Sequence, residues 1–164
     1  MIEGRVLALD VGEKRIGVAT CDPSGIVVRT VGVVQAEPRE RALAELQRLA
    51  KEEEAVLFVI GLPLTLRGEH GPQAQRVMSF VEALQQVIAL PVVMRDERFT
   101  SVEAERIIEE RGGKRRPKHK RRRGEVDEVA AALILQDYLQ EQESLRNRRR
   151  YDDDDPAIED TGAP

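Results

Sequence analysis

"LALDVGEKRIGVAT", residues 7–20, is the stretch on which the fold turns. Two apolar runs, "LALDV" and "IGVAT", flank the short polar gap "GEKR", the signature of two strands joined as a hairpin. Extended to their natural limits, the strands cover about 5–11 and 16–22, and a third pattern, "IVVRTVGVV", follows at 26–34 after the gap "PSG". Short gaps of this kind make the three strands an antiparallel meander. Alternation along the first strand places Val6, Ala8 and Asp10 on one face, so Asp10 continues an apolar row. An ionised carboxylate in that row needs donors, a cation or a raised pKa. The plainer reading is a turn aspartate bonded to amides near Gly12.

The pattern then changes period. Ala42, Leu43, Leu46, Leu49 and Ala50 form an apolar stripe in a helix at about 38–54, with Pro38 suited to its first turn. "AVLFVIGLPL" reads as a buried strand at 55–60, stopped by Gly61 and Pro63. A helix at about 72–89 carries Val77, Phe80, Val81, Leu84 and Ile88 at helical spacing. The strand "PVVMRDE" leads into "RFTSVEAERIIEERGG", where Thr100 and Glu103 form a capping box and Gly112 ends a helix. A last helix spans about 125–143. The order β-β-β-α-β-α-β-α-α, with right-handed crossovers, predicts an α/β fold: a five-stranded mixed sheet, a meander followed by parallel strands, with helices on both faces.

At 164 residues the chain reads as one domain, residues 1–143, followed by a charged, disordered tail at 144–164. No apolar stretch is long enough to cross a bilayer, and the N-terminus runs directly into a strand, so no signal peptide or membrane partner is expected and the cytoplasm is the expected location. Cys21, the one cysteine, rules out an internal disulfide, and no Cys/His cluster suggests zinc. The net charge of −4 conceals an asymmetry. Residues 151–164 hold six acids and no Lys or Arg; without them 26 bases face 24 acids, a net +2. Nine of those bases lie in 111–123, "RGGKRRPKHKRRR", which has no acid. This basic segment, 111–124, reads as a flexible loop, and such clusters meet polyanions. Lys114, Arg115, Arg116, Lys118, Lys120, Arg121, Arg122 and Arg123 are its candidate nucleic-acid contacts.

Two more carboxylates join Asp10 as candidates, and the first, Asp127, also lies on a core-facing stripe. In "VDEVAAALILQDYL", Asp127 shares a helical face with Ala130, Ala131, Ile134, Leu135 and Tyr138. A helix dipole would favour an acid in this first turn by about 0.3–1 kcal/mol, but it would do so on any face. Glu97 lies where the fifth strand gives way to a helix, and the crevice at the carboxyl ends of parallel strands is where α/β sheets bind ligands. Taken alone, it reads as a surface acid paired with Arg95 or Arg98. The first strand is central in a sheet of this order, so its end can approach both Glu97 and the start of the last helix. Carboxylates gathered there would repel unless a cation neutralised them. Oxygen ligands without His or Cys suit Mg²⁺ or Mn²⁺. Two such ions about 3.5–4 Å apart would suit phosphodiester hydrolysis, and the basic loop just before Asp127 would hold the backbone.

The segments "LALDVGEKRIGVA", "VIGLPLTLRGEHG", "DERFTS" and "VDEVAAALILQDYL" closely resemble the YqgF (RuvX) family of proposed Holliday junction resolvases, also described as nucleases that mature the precursor of 16S ribosomal RNA. The resemblance covers about residues 4–141, collinear and with compatible spacing. It implies an RNase H-like fold, a metal-dependent endonuclease and a bacterial cytoplasmic location. It also implies structured RNA (the rRNA precursor) or branched DNA as partner. Its acids fall on Asp10, Glu97 and Asp127. Lys14, Arg15, Arg98, Thr100 and Ser101 lie in its motif segments as candidate phosphate contacts, with turn or helix-cap roles as the alternatives; for Thr100 the cap is preferred. Gly61, Leu62 and Pro63 are expected to shape the cleft wall. Related RNase H-like resolvases place the second acid on the fourth strand, which here ends "IGLPL" without one, so the middle acid is Glu97 with Asp96 in reserve. Cutting a junction needs two active sites and so points to a homodimer. Two other classes compete. A non-catalytic RNA-binding ribosome-assembly or transcription factor could keep this fold. An actin-like kinase or ATPase also begins strand-Asp-x-Gly, but needs two such domains around its nucleotide.

Overall fold

Strand β1 (Arg5–Val11) pairs antiparallel with β2 (Arg15–Cys21) through a tight turn at Glu13 and Lys14, closed where the Gly12 N–H donates to the Arg15 carbonyl at 2.8 Å. A side chain on Gly12 would run into that same carbonyl, so this turn requires glycine. Strand β3 (Val28–Gln35) pairs antiparallel with β2 and completes the meander. The computed structural model of the chain describes residues 4–96 and 123–153.

Ile26 and Val27, expected in the third strand, lie outside it and are 81% and 61% exposed. The cause is Asp22. Its carboxylate accepts the Ile26 and Val27 amides at 2.8 and 2.7 Å, the Ser24 amide at 3.2 Å, and the Ser24 hydroxyl. Amides held by a side chain are withdrawn from the strand ladder. The Ser24 hydroxyl and these amides together lower the Asp22 pKa to about 2.

Helix α1 (Arg39–Glu52) turns Ala42, Leu43, Leu46 and Ala50 into the core, with Pro38 at its N-cap rather than in its first turn. Strand β4 (Ala55–Leu62) runs parallel to β1, helix α2 (Pro72–Val87) opens on a proline, and β5 (Val92–Asp96) runs parallel to β4. The sheet order is β3-β2-β1-β4-β5, the predicted five-stranded mixed sheet with β1 at its centre. The helix expected after Thr100 and the basic segment up to Arg122 lie outside the described residues.

Both faces of the sheet are covered. Leu7, Leu9, Ile16, Phe58 and Ile60 point toward α1 and α2, meeting Leu46, Val77 and Leu84. Val6, Ala8, Ala19, Leu57 and Val59 point the other way, toward Ala131, Ile134, Leu135 and Tyr138 of the last helix, α3 (Arg123–Asp153). Each fully buried Leu, Ile or Phe contributes about 1.5–3 kcal/mol, so the two layers fix the positions of the strand ends. Helix α3 continues ten residues beyond the expected end near 143, and the supposed tail is helical as far as Asp153. Its apolar stripe stops at Leu139, but "EQESLRNRRR" contains strong helix formers and no Gly or Pro. Residues 143–151 are all exposed.

Candidate active site

Asp10 is the last residue but one of β1, and its cross-strand partner on β2 is Gly17. The alternation that sends Val6 and Ala8 toward α3 sends Asp10 to that face too. Gly17 shares the face, and its bare Cα is where α3 comes closest: a Cβ there would overlap the carbonyl of Asp127. The second turn of α3 thus rests on β2 at the residue paired with Asp10. The structure sets the backbone of Asp127 against the strand partner of Asp10, at the carboxyl end of the central strand, although the two acids are 117 positions apart in sequence.

Arg15 opens β2 on the same face, two residues before Gly17. Its Nε–H donates to Asp127 Oδ2 at 3.1 Å. The two side chains are 30% and 24% exposed, so water screens the pair only in part. With Gly12, Glu13 and Lys14 they line a cavity of about 290 Å³. Lys14 is exposed at the tip of the turn. Arg76, in the first turns of α2, lies 3.6 Å from Glu13 in an exposed ion pair at the same turn.

Asp96 faces the other way. It pairs with Leu62, on the side of the sheet covered by α1 and α2, whereas Arg95 pairs with Gly61 on the α3 side and reaches Glu141 of α3. The candidates Glu97, Arg98, Ser101, Lys114, Arg115, Arg116, Lys118, Lys120, Arg121 and Arg122 lie outside the described residues, as does Thr100; Arg123 is the first residue of α3. Among the described residues no three acids, histidines or cysteines gather into a metal-binding group. A larger cavity, about 460 Å³, lies at the far end of β1 between the β2–β3 loop and the later turns of α3, remote from the acids.

Sequence reading missed two features of this site, the role of Gly17 and the pairing of Arg15 with Asp127. Gly17 carried a signal, since glycine inside a strand pattern marks close approach of another backbone. The Arg15 partnership carried none, because its carboxylate is 112 residues away. Among the described residues, no helix is long and apolar enough to cross a membrane.

The family model described as "RuvX: Holliday junction resolvase" matches residues 4–141. A proposed pre-16S rRNA nuclease of Chloroflexus aggregans is 45% identical over 139 residues, 85% of this chain and 95% of that protein. One from a Roseiflexus species is 44% identical over 136 residues, 83% of this chain and 94% of its own length. Among solved structures, T. thermophilus RuvC in complex with a Holliday junction substrate superposes with a TM-score of 0.54 at 16% identity, covering 85% of this chain and 96% of RuvC. That likeness is one of fold, an RNase H arrangement shared at low sequence identity.

Proposed function

Because the chain belongs to the RuvX family of Holliday junction resolvases, we propose that it is a divalent-metal-dependent endonuclease acting on structured nucleic acid. The names of its relatives favour pre-16S rRNA as the physiological substrate, and the family description adds four-way DNA junctions as the second class; maturation of the rRNA 5′ end is the reaction proposed here. One observation supports the reading: Asp10 is paired with Gly17, and the backbone of Asp127 packs on that same glycine at the carboxyl end of the central strand.

The donor chemistry fits the cation. Asp10 and Asp127 offer hard carboxylate oxygens, which suit Mg²⁺ or Mn²⁺, and Glu97 is the third ligand of the proposed set. Asp96 is the weaker alternative, since its strand position faces α1 and α2. When bound, a pair of such ions activates a water and stabilises the leaving oxygen of a phosphodiester. The chain's own groups do the rest. Lys14, exposed beside the acids, supplies a cation to the phosphate next to the scissile bond. The basic segment preceding α3 holds the flanking backbone through charge, without reading bases. Aromatic residues make up only 3% of the chain, which leaves little surface for base stacking.

Arg15 on Asp127 is the feature that favours a second reading, a non-catalytic RNA-binding factor in which the acid serves only an ion pair. Cleavage of pre-16S rRNA and of four-way junctions in Mg²⁺ or Mn²⁺ separates the two. Under the nuclease reading, Asp10→Asn, Asp127→Asn and Glu97→Gln each bring cutting to background while binding persists, and Asp96→Asn leaves it intact. Wild-type protein that binds both substrates and cuts neither establishes the second reading.

A further inference from the structure

Asp127 is asked to hold a divalent ion, yet its carboxylate already accepts a hydrogen bond from a guanidinium at 3.1 Å. The backbone beneath that guanidinium is fixed. The Arg15 carbonyl accepts the Gly12 amide at 2.8 Å, and the neighbouring Lys14 carbonyl accepts the Ala36 amide at 2.9 Å. The side chain is held less firmly. Its contact with Asp127 is its one hydrogen bond among the described residues, and it uses one of five N–H donors. Both partners line the 290 Å³ cavity at the hairpin turn, so the guanidinium has room to move without disturbing the sheet. The energies allow the exchange. A partly exposed ion pair is worth about 0.2–1 kcal/mol, a factor of roughly 1.4–5 in an equilibrium constant. A divalent ion shared between two carboxylates competes with that easily.

We propose that Arg15 is a latch on Asp127: it neutralises the carboxylate in the metal-free protein, yields it when the carboxylate takes a divalent ion, and then presents its guanidinium to a phosphate of the bound strand. Arg15 is here a positioning residue first and a substrate contact second. Its charge keeps Asp127 from repelling Asp10 while the cation is away, and its release couples metal loading to substrate binding. The inference rests on the reading of Asp10 and Asp127 as metal ligands, and the test separates the two.

Mn²⁺ binding is measured by titration calorimetry on the full chain as wild type, Arg15→Gln, Arg15→Lys and Asp127→Asn, with folding checked by circular dichroism. Nucleic-acid binding is measured with and without Mn²⁺. Arg15→Gln is expected to bind Mn²⁺ roughly 1.4–5-fold more tightly than wild type, because the competing cation is gone. Its nucleic-acid affinity falls relative to wild type only when Mn²⁺ is present. Arg15→Lys, which keeps the charge but loses the planar fork, falls between the two on both readouts. Equal or weaker Mn²⁺ binding by Arg15→Gln, with binding lost in Asp127→Asn, overturns the latch and leaves the metal site standing. No Mn²⁺ binding by wild type or by Arg15→Gln overturns the site, and the latch with it.

Discussion

Replacing Gly17 with alanine tests the contact that places Asp127. A Cβ built on Gly17 would lie 2.0 Å from the Asp127 carbonyl oxygen, 2.4 Å from its carbon and 3.1 Å from the Glu128 nitrogen, where real Cβ atoms keep at least 3.0 Å. These are backbone atoms, so no side chain can rotate out of the way and α3 has to retreat by about 1 Å. Overpacking of this kind costs about 1–3 kcal/mol. The entropic gain usual for Gly→Ala, about 0.4–1 kcal/mol, offsets only part of that. For a chain of this size the loss corresponds to a Tm lowered by roughly 2–12 °C before the offset. Urea denaturation should show a lower midpoint at an unchanged slope, the mark of a native state weakened in place. If the nuclease reading is right, cutting falls as well, since a 1 Å misplacement of a reacting group can cost about 10²-fold. A variant as stable as wild type, or more so, would refute the seating of α3 on β2 and with it the proposed pairing of the two acids in one site.

Two further outcomes are expected. The Asp22 carboxyl, held at about 2 by the Ser24 hydroxyl and nearby amides, has a depressed folded-state pKa, so its contribution is full above about pH 4 and fades as pH falls toward about 2. The stability gap between wild type and Asp22→Asn should therefore close over that window, and a gap constant from pH 5 to pH 2 would show that these bonds do not hold the β2–β3 loop. If about six side chains of the basic segment neutralise phosphates, the log of duplex affinity should fall against log salt with a slope near −5. A flat response would remove the segment from the interface.

Much of the architecture was legible because strand alternation and helical spacing report burial directly. The faces of Val6, Ala8 and Asp10, and of Asp127 with Ala131, Ile134 and Leu135, follow from period alone, and both agree with the packed structure. Where side chains compete with backbone, the reading failed. Ile26 and Val27 look like strand residues by composition, but Asp22 takes their amides. The end of α3 was misplaced because amphipathicity stops at Leu139 while helix propensity does not. Period could show that Asp10 and Asp127 each faced a core. It could not show that they faced the same one at the same strand end, because that depends on the absence of a side chain at Gly17 and on a pairing that spans most of the chain.

The ion pair between Arg95 and Glu141 gives α3 a second duty. Glu141 lies 14 residues along the helix from Asp127, about 21 Å at 1.5 Å per residue. The rod that rests on β2 near its start is therefore tied close to its middle to Arg95 of β5, two positions before Glu97 in sequence. One helix thus has a foothold on strands to either side of β1, on β2 through Gly17 and on β5, beyond β4, through Arg95, so a slide of α3 along the sheet would be felt at both.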